Sequence, residues 1–136
     1  MKKLVFLAII GLCSMGMSLP DGAKMAKDRH NALLLADYVM RCTETYETKK
    51  LSNKDSSKVD EKNCSKILKE PLPDFLGKKG KVVVSSYNKT ETKIKATPIS
   101  KSVGDVLMER FGERMAGMLA TFDKKTKTVT FSYKME

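Results

Sequence analysis

The sequence predicts an α+β fold: a four-stranded antiparallel sheet made of two hairpins, with a long N-terminal helix and a second helix packed on one face. Apolar residues recur at helical spacing over about 21–46, and again after Pro98. Two further segments, 81–97 and 118–134, each place β-branched or aromatic runs on both sides of a short polar turn. Hairpins make antiparallel pairs, and an antiparallel sheet with one apolar face needs helices on that face alone.

The N-terminus comes first. Met1-Lys2-Lys3 precedes an apolar run from Leu4 to Cys13 interrupted only by Gly11, and the small residues Ser14, Gly16 and Ser18 lead into Leu19-Pro20. This is the order of a secretory signal peptide, expected over 1–18, with a cut after Ser18 preferred to one after Gly16. The run falls short of the roughly 20 apolar residues that a membrane-spanning helix needs. Leu12 stands where a lipid-modified cysteine at Cys13 would require a small residue. A single small domain, 19–136, is expected to follow, of a size that buries a modest core. Of 26 Lys and Arg only Lys2 and Lys3 leave with the signal, and none of the 16 acidic residues does, so the charge moves from +10 to +8. Such a charge favours anionic partners.

Two cysteines remain after that cut, Cys42 and Cys64, and an oxidising compartment favours pairing them. The bridge would close a polar loop, and a loop of this length is worth roughly 3 kcal/mol in the chain-entropy view. A redox role would need a Cys-x-x-Cys or helix N-terminal setting, which neither cysteine has. The compartment expected is periplasmic or secreted.

In the first helix, Met25, Ala32, Leu35, Val39, Cys42 and Tyr46 lie along one stripe with Leu34 and Tyr38 beside it, Asp21 serves as N-cap, and Lys24, Lys27, Arg41 and Glu44 take the wet side. The stripe does not persist over several heptads, so it reads as core against a sheet and not as a coiled coil. Residues 47–60 are polar and read as a surface loop. A short helix is expected from Asp60 to about Lys69, ended by Pro71 and Pro73. In the first hairpin, strands 81–87 and 91–97 flank Asn88-Lys89-Thr90. Ile94 and Ala96 face one way, Lys93 and Lys95 the other.

Ser102-Val103-Gly104-Asp105 resembles a capping box and is expected to open a helix carrying Val103, Val106, Leu107, Phe111, Met115 and Met118 on one side. Gly104, Gly112 and Gly117 weaken it by up to about 1 kcal/mol each. The second hairpin runs from Met118 through a turn at 123–127 to Lys134, with Val129, Phe131 and Tyr133 alternating against Thr128, Thr130 and Ser132.

No constellation of catalytic or metal-ligating residues stands out, so no enzyme activity, cofactor or metal is expected. His30 is the only histidine, without a second ligand at metal spacing. Ser85-Ser86 has no activating base in view, and no carboxylate pair has a spacing that marks acid-base work. Asn63-Cys64-Ser65 and Asn88-Lys89-Thr90 fit the N-glycosylation pattern, which matters only in a eukaryotic secretory pathway.

The charge pattern says more. From 78 to 101 there are seven lysines against the single acid Glu91. Lys124, Lys125 and Lys127 add a second basic turn, able to share an end of the sheet with the first group if the hairpins lie side by side. The candidate anion-binding set is therefore Lys78, Lys79, Lys81, Lys89, Lys93, Lys95, Lys124, Lys125 and Lys127. Lysines also keep an exposed sheet soluble and blunt its edges. Lysine without arginine acts as point charge and not as a bidentate fork, which disfavours sequence-specific nucleic acid. The partners expected are a protein, or an anionic polymer or membrane surface.

Ala8-Ile9-Ile10-Gly11, then Leu19-Pro20 and a long helix, resembles the N-terminal helix of type IV pilins and pseudopilins. That family also places an antiparallel sheet after the helix and often carries a disulfide. The family's leader ending in Gly before Phe, and the glutamate shortly after it, have no counterpart upstream of this run. The resemblance implies an alternative to a secreted binding domain: an envelope assembly protein that keeps its N-terminal segment as an anchor. A small secreted hydrolase is the remaining, weaker alternative.

Overall fold

A computed structural model describes residues 19–52, 61–88 and 90–134. The expected signal, residues 53–60 of the expected loop, Asp60 and Lys89 lie outside the described residues. The elements are α1 (Leu19–Ser52), α2 (Cys64–Leu68), β1 (Lys81–Tyr87), β2 (Glu91–Thr97), α3 (Lys101–Phe111), β3 (Met118–Asp123) and β4 (Thr128–Lys134). All strand pairs are antiparallel, in the order β1-β2-β4-β3. This is the α+β fold with helices on one face of a four-stranded sheet.

The core follows from the period of two. Val82 and Val84 of β1, Ile94 and Ala96 of β2, Val129 and Phe131 of β4, and Met118 and Ala120 of β3 are all buried on the same face. Against them α1 sets Ala32, Leu35, Val39, Cys42 and Tyr46, each fully buried, and α3 sets Val103 and Leu107. A bulge at Ser85 breaks the alternation of β1, so that Val84 opposes Ile94 while Ser86 opposes Lys93 and Tyr87 opposes Thr92. The extra residue reverses parity and turns Tyr87 inward, where its ring meets Tyr46 edge-on at 5.3 Å. The outer edge of β1 is covered by the strand-like segment before α2. Val84 N–H donates to the Lys62 carbonyl at 2.8 Å, and Asn63 bridges to Val83.

The Cys42–Cys64 disulfide joins the buried stripe of α1 to the first residue of α2, with Cα atoms 5.5 Å apart. Just beyond α2, Glu70 extends the same seam. The Tyr38 hydroxyl donates to its carbonyl at 2.9 Å, and the Arg41 guanidinium grips both oxygens of its carboxylate at 2.9 Å each. That pairing with Arg41 holds the Glu70 carboxyl below the usual carboxylate range.

Several local expectations need correction. Met25, expected in the buried stripe, is 55% exposed and Leu34 is 44% exposed, whereas Tyr38 is buried; among the described residues, burial along α1 begins at Ala32. The helix already includes Leu19, so Asp21 lies inside it, and it runs on through 47–52, where the sequence suggests a loop. Within 61–69, only Cys64–Leu68 is α-helical. The cap of α3 is Ser100 and not Ser102: the Ser100 hydroxyl accepts from Val103 N–H at 3.3 Å, and Asp105 pairs with Lys101 at 2.8 Å. The helix also ends at Phe111. Met115 and Met118 then exchange two backbone hydrogen bonds of 2.9 Å across Ala116 and Gly117, whose φ values of 52° and 85° are left-handed. Gly117 supplies that conformation without strain. Where α3 crosses β3, Gly104 is needed for a different reason: a Cβ there would lie 2.5 Å from the Phe122 ring.

Candidate anion-binding surface

Antiparallel pairing decides where each lysine goes. β4, not β3, lies beside β2, so the β3–β4 turn falls at the end of the sheet where Lys81 pairs with Thr97. The contact is direct: the Lys127 carbonyl accepts from Ile99 N–H at 2.8 Å and from the Thr97 hydroxyl at 3.0 Å. Lys78, Lys79 and Lys81, at the start of β1, thus share one end of the sheet with Lys124, Lys125 and Lys127, and all are exposed. The turn shape depends on Asp123, whose carboxylate accepts from Lys125 N–H at 2.9 Å. The Asn88–Thr90 turn lies at the opposite end, closed by the Asn88 side-chain oxygen accepting from Thr90 N–H at 2.9 Å.

Lys93 and Lys95 occupy neither end. They stand on the sheet face away from the helices, Lys93 opposite Ser132 and Lys95 opposite Thr130 of β4. Lys93 is partly neutralised, its ammonium 3.9 Å from a Glu91 oxygen. The other oxygen of Glu91 accepts from the Ser132 hydroxyl, and this bond, with Lys93, Lys134 and Arg114 nearby, holds the Glu91 carboxyl below its ordinary range. Arg114 completes the cluster, donating to the Gly117 carbonyl at 2.7 Å and the Ser132 carbonyl at 3.2 Å. Lys95 has no ion-pair partner among the described residues. The candidate set thus divides into a basic end, a smaller group on the open face, and Lys89 outside the described residues.

Two features went unread in the sequence. One is a cleft of about 640 Å³ at the basic end, between Lys24, Lys27 and Asp28 of α1, the Pro98–Ser100 turn, and Lys127. Lys24 and Lys27 look like any solvated helix face until the fold brings them opposite Lys127. The other is a buried polar group on the core face. Glu47 is 6% exposed and accepts from the Thr92 hydroxyl at 3.1 Å; burial pushes its carboxyl up, against the effect of that bond. One helical turn earlier, the buried Thr43 hydroxyl has no hydrogen-bond partner. No helical periodicity marked Glu47, because a carboxylate is expected on the wet side of a helix.

His30 is exposed on α1, Ser85 donates to the Lys93 carbonyl at 3.2 Å, and among the described residues no group of three or more His, Cys, Asp or Glu side chains could hold a metal. No helix of the described residues is long and apolar enough to cross a membrane. The disulfide is compatible with an extracytoplasmic compartment. Compared with protein-family models, with curated proteins and with solved structures, the chain matches none.

Proposed function

We propose that this is a non-enzymatic, extracytoplasmic binding domain that engages an anionic envelope surface through the basic end of its sheet. The observation that supports it most is the convergence of two lysine groups remote in sequence, 78–81 and 124–127, on one end of the fold. Point charges on long flexible stems suit a surface of diffuse negative charge better than a fixed planar acceptor. Each lysine near an anionic membrane contributes about 1 kcal/mol of attraction, and that attraction fades within a Debye length of about 8 Å at physiological salt.

Co-sedimentation with vesicles of acidic and of zwitterionic lipid tests this. The chain should bind the acidic vesicles alone and release them as salt rises. Lys124→Gln with Lys125→Gln should weaken binding by about 30-fold, two increments of about 1 kcal/mol. Lys93→Glu with Lys95→Glu reports whether the open face takes part. Binding indifferent to salt and to both pairs of substitutions would reduce the basic surface to a device for solubility.

A further inference from the structure

We propose that the cleft at the basic end is a subsite for one phosphomonoester group carrying a compact organic moiety. The inference rests on the surface-binding reading and names the chemical group that the surface would present. The cleft holds about 640 Å³, far more than a bare oxyanion fills and within the range of pockets that take small organic ligands. Its walls divide by chemistry. Lys24 and Lys27, one helical turn apart on α1, face Lys127 from the β3–β4 turn, while Phe75 and Pro98 supply apolar surface.

The backbone that carries Lys127 is fixed by the fold. Its carbonyl accepts from Ile99 N–H and the Thr97 hydroxyl. Ile99 is fully buried, so the turn that carries this contact is pinned to the core. None of the three lysines has an ion-pair partner among the described residues, and Asp28 is the one acid in the lining. Like charges around a concave site repel one another, and an anion placed between them is attracted by all three. A dianionic phosphomonoester gains more from this than a singly charged phosphodiester. Ser100 and Ser102 also line the cleft, within the wall that opens α3. The apolar part of the lining favours a ligand whose phosphate carries carbon.

The test uses the full chain labelled for amide NMR, so that any contribution of 1–18 is common to parent and variants. The probes are glycerol 3-phosphate and inorganic phosphate in solution, and vesicles containing phosphatidic acid or phosphatidylglycerol. Glycerol 3-phosphate should shift the amides of Ile99, Ser102 and Val103, bind several-fold more tightly than inorganic phosphate, and lose about tenfold in affinity in Lys27→Gln or Lys127→Gln. These lysines are exposed, so the substitutions leave the core intact. Lys78→Gln with Lys79→Gln, outside the cleft, should weaken vesicle binding and leave glycerol 3-phosphate binding unchanged. Preference for phosphatidic acid over phosphatidylglycerol, abolished by Lys27→Gln, would assign the group to a lipid; tight binding of the soluble ester without that preference would assign it to a free metabolite, and either outcome supports the subsite. Equal affinity for inorganic phosphate, or shifts spread evenly over 78–81 and 124–127, would overturn the subsite while leaving general surface binding intact. Glycerol 3-phosphate binding without any vesicle binding would remove the surface reading instead.

Discussion

Reduction of the Cys42–Cys64 bridge has a calculable consequence. The two residues are separated by 22 positions, and closing a loop of that length removes denatured-state entropy corresponding to about 3.4 kcal/mol at 25 °C. The structure gives a reason for the loss to be felt in full. Both sulfurs are buried, and the bridge holds α2 and the Lys62–Asn63 segment that covers the free edge of β1. Without it that seam relies on Ile67, on the Lys62 and Asn63 contacts with β1, and on the contacts of Tyr38 and Arg41 with Glu70, of which the Arg41 pair is partly exposed and individually weak. Parent protein unfolded and refolded in reductant should therefore show a urea midpoint lower by roughly 2 M, taking a slope of about 1.5 kcal/mol/M. Its melting temperature should fall by roughly 14 °C, at about 4 °C per kcal/mol for a domain of this size. The slope itself should rise slightly, because a chain freed of its cross-link exposes more surface when unfolded. A loss below about 1 kcal/mol with an unchanged slope would mean that the loop is already constrained in the unfolded chain, and would refute the entropic account.

Three further outcomes are expected. Gly104→Ala should destabilise by about 1–2 kcal/mol despite the better helix propensity of alanine, because its methyl meets the Phe122 ring at 2.5 Å; Phe122→Leu in the same chain should recover much of the loss in urea titrations, and simple additivity would disprove the clash. Burial raises the Glu47 carboxyl, so the folded state holds that proton more tightly than the unfolded one, and stability should fall as pH rises above the ordinary carboxylate range near 4.5. Glu47→Gln, which keeps an acceptor for Thr92, should abolish that component and be more stable than the parent near pH 7; parallel pH profiles for the two proteins would refute the raised proton affinity of Glu47. The exported protein should have lost residues 1–18 and should take up alkylating reagent at two cysteines only after reduction, as read by intact mass; a full-length mass with free thiols would favour the anchored assembly protein.

The elements easiest to read were those in which two neighbouring residues disagree. Lys93 and Lys95 against Ile94 and Ala96 leave one orientation open to β2, since a slip of one residue would bury two ammonium groups. Val129 and Phe131 fix β4 in the same way. The helices were harder because one spacing serves two structures. Met115 and Met118 continue the i, i+3 pattern of α3, yet that separation is also the span of a two-residue turn, and here they are a cross-strand pair. Ser100 and Ser102 are equally good caps on composition; Ser100 takes the role because Ile99, one position earlier, is drawn into the core. At Glu47 charge argued for solvent, and only the approach of Thr92, 45 positions away, made burial tolerable.

The candidate site was hidden for a topological reason. Two hairpins can lie side by side with either β3 or β4 next to β2, and both arrangements bury the same apolar faces. With β3 beside β2, the turn carrying Lys124, Lys125 and Lys127 would fall beside Asn88 and Thr90, and the cleft would lose Lys127. With β4 beside β2, as observed, that turn meets Lys81 and the first half of α1. The preference traces to the residues that a central strand needs: β4 buries Val129, Phe131 and even Ser132, with Ser132 hydrogen-bonded to Glu91, whereas Thr121 and Asp123 of β3 are exposed as an edge requires. The location of the positive charge is thus a consequence of which strand can tolerate having no neighbour, and not of the lysines themselves.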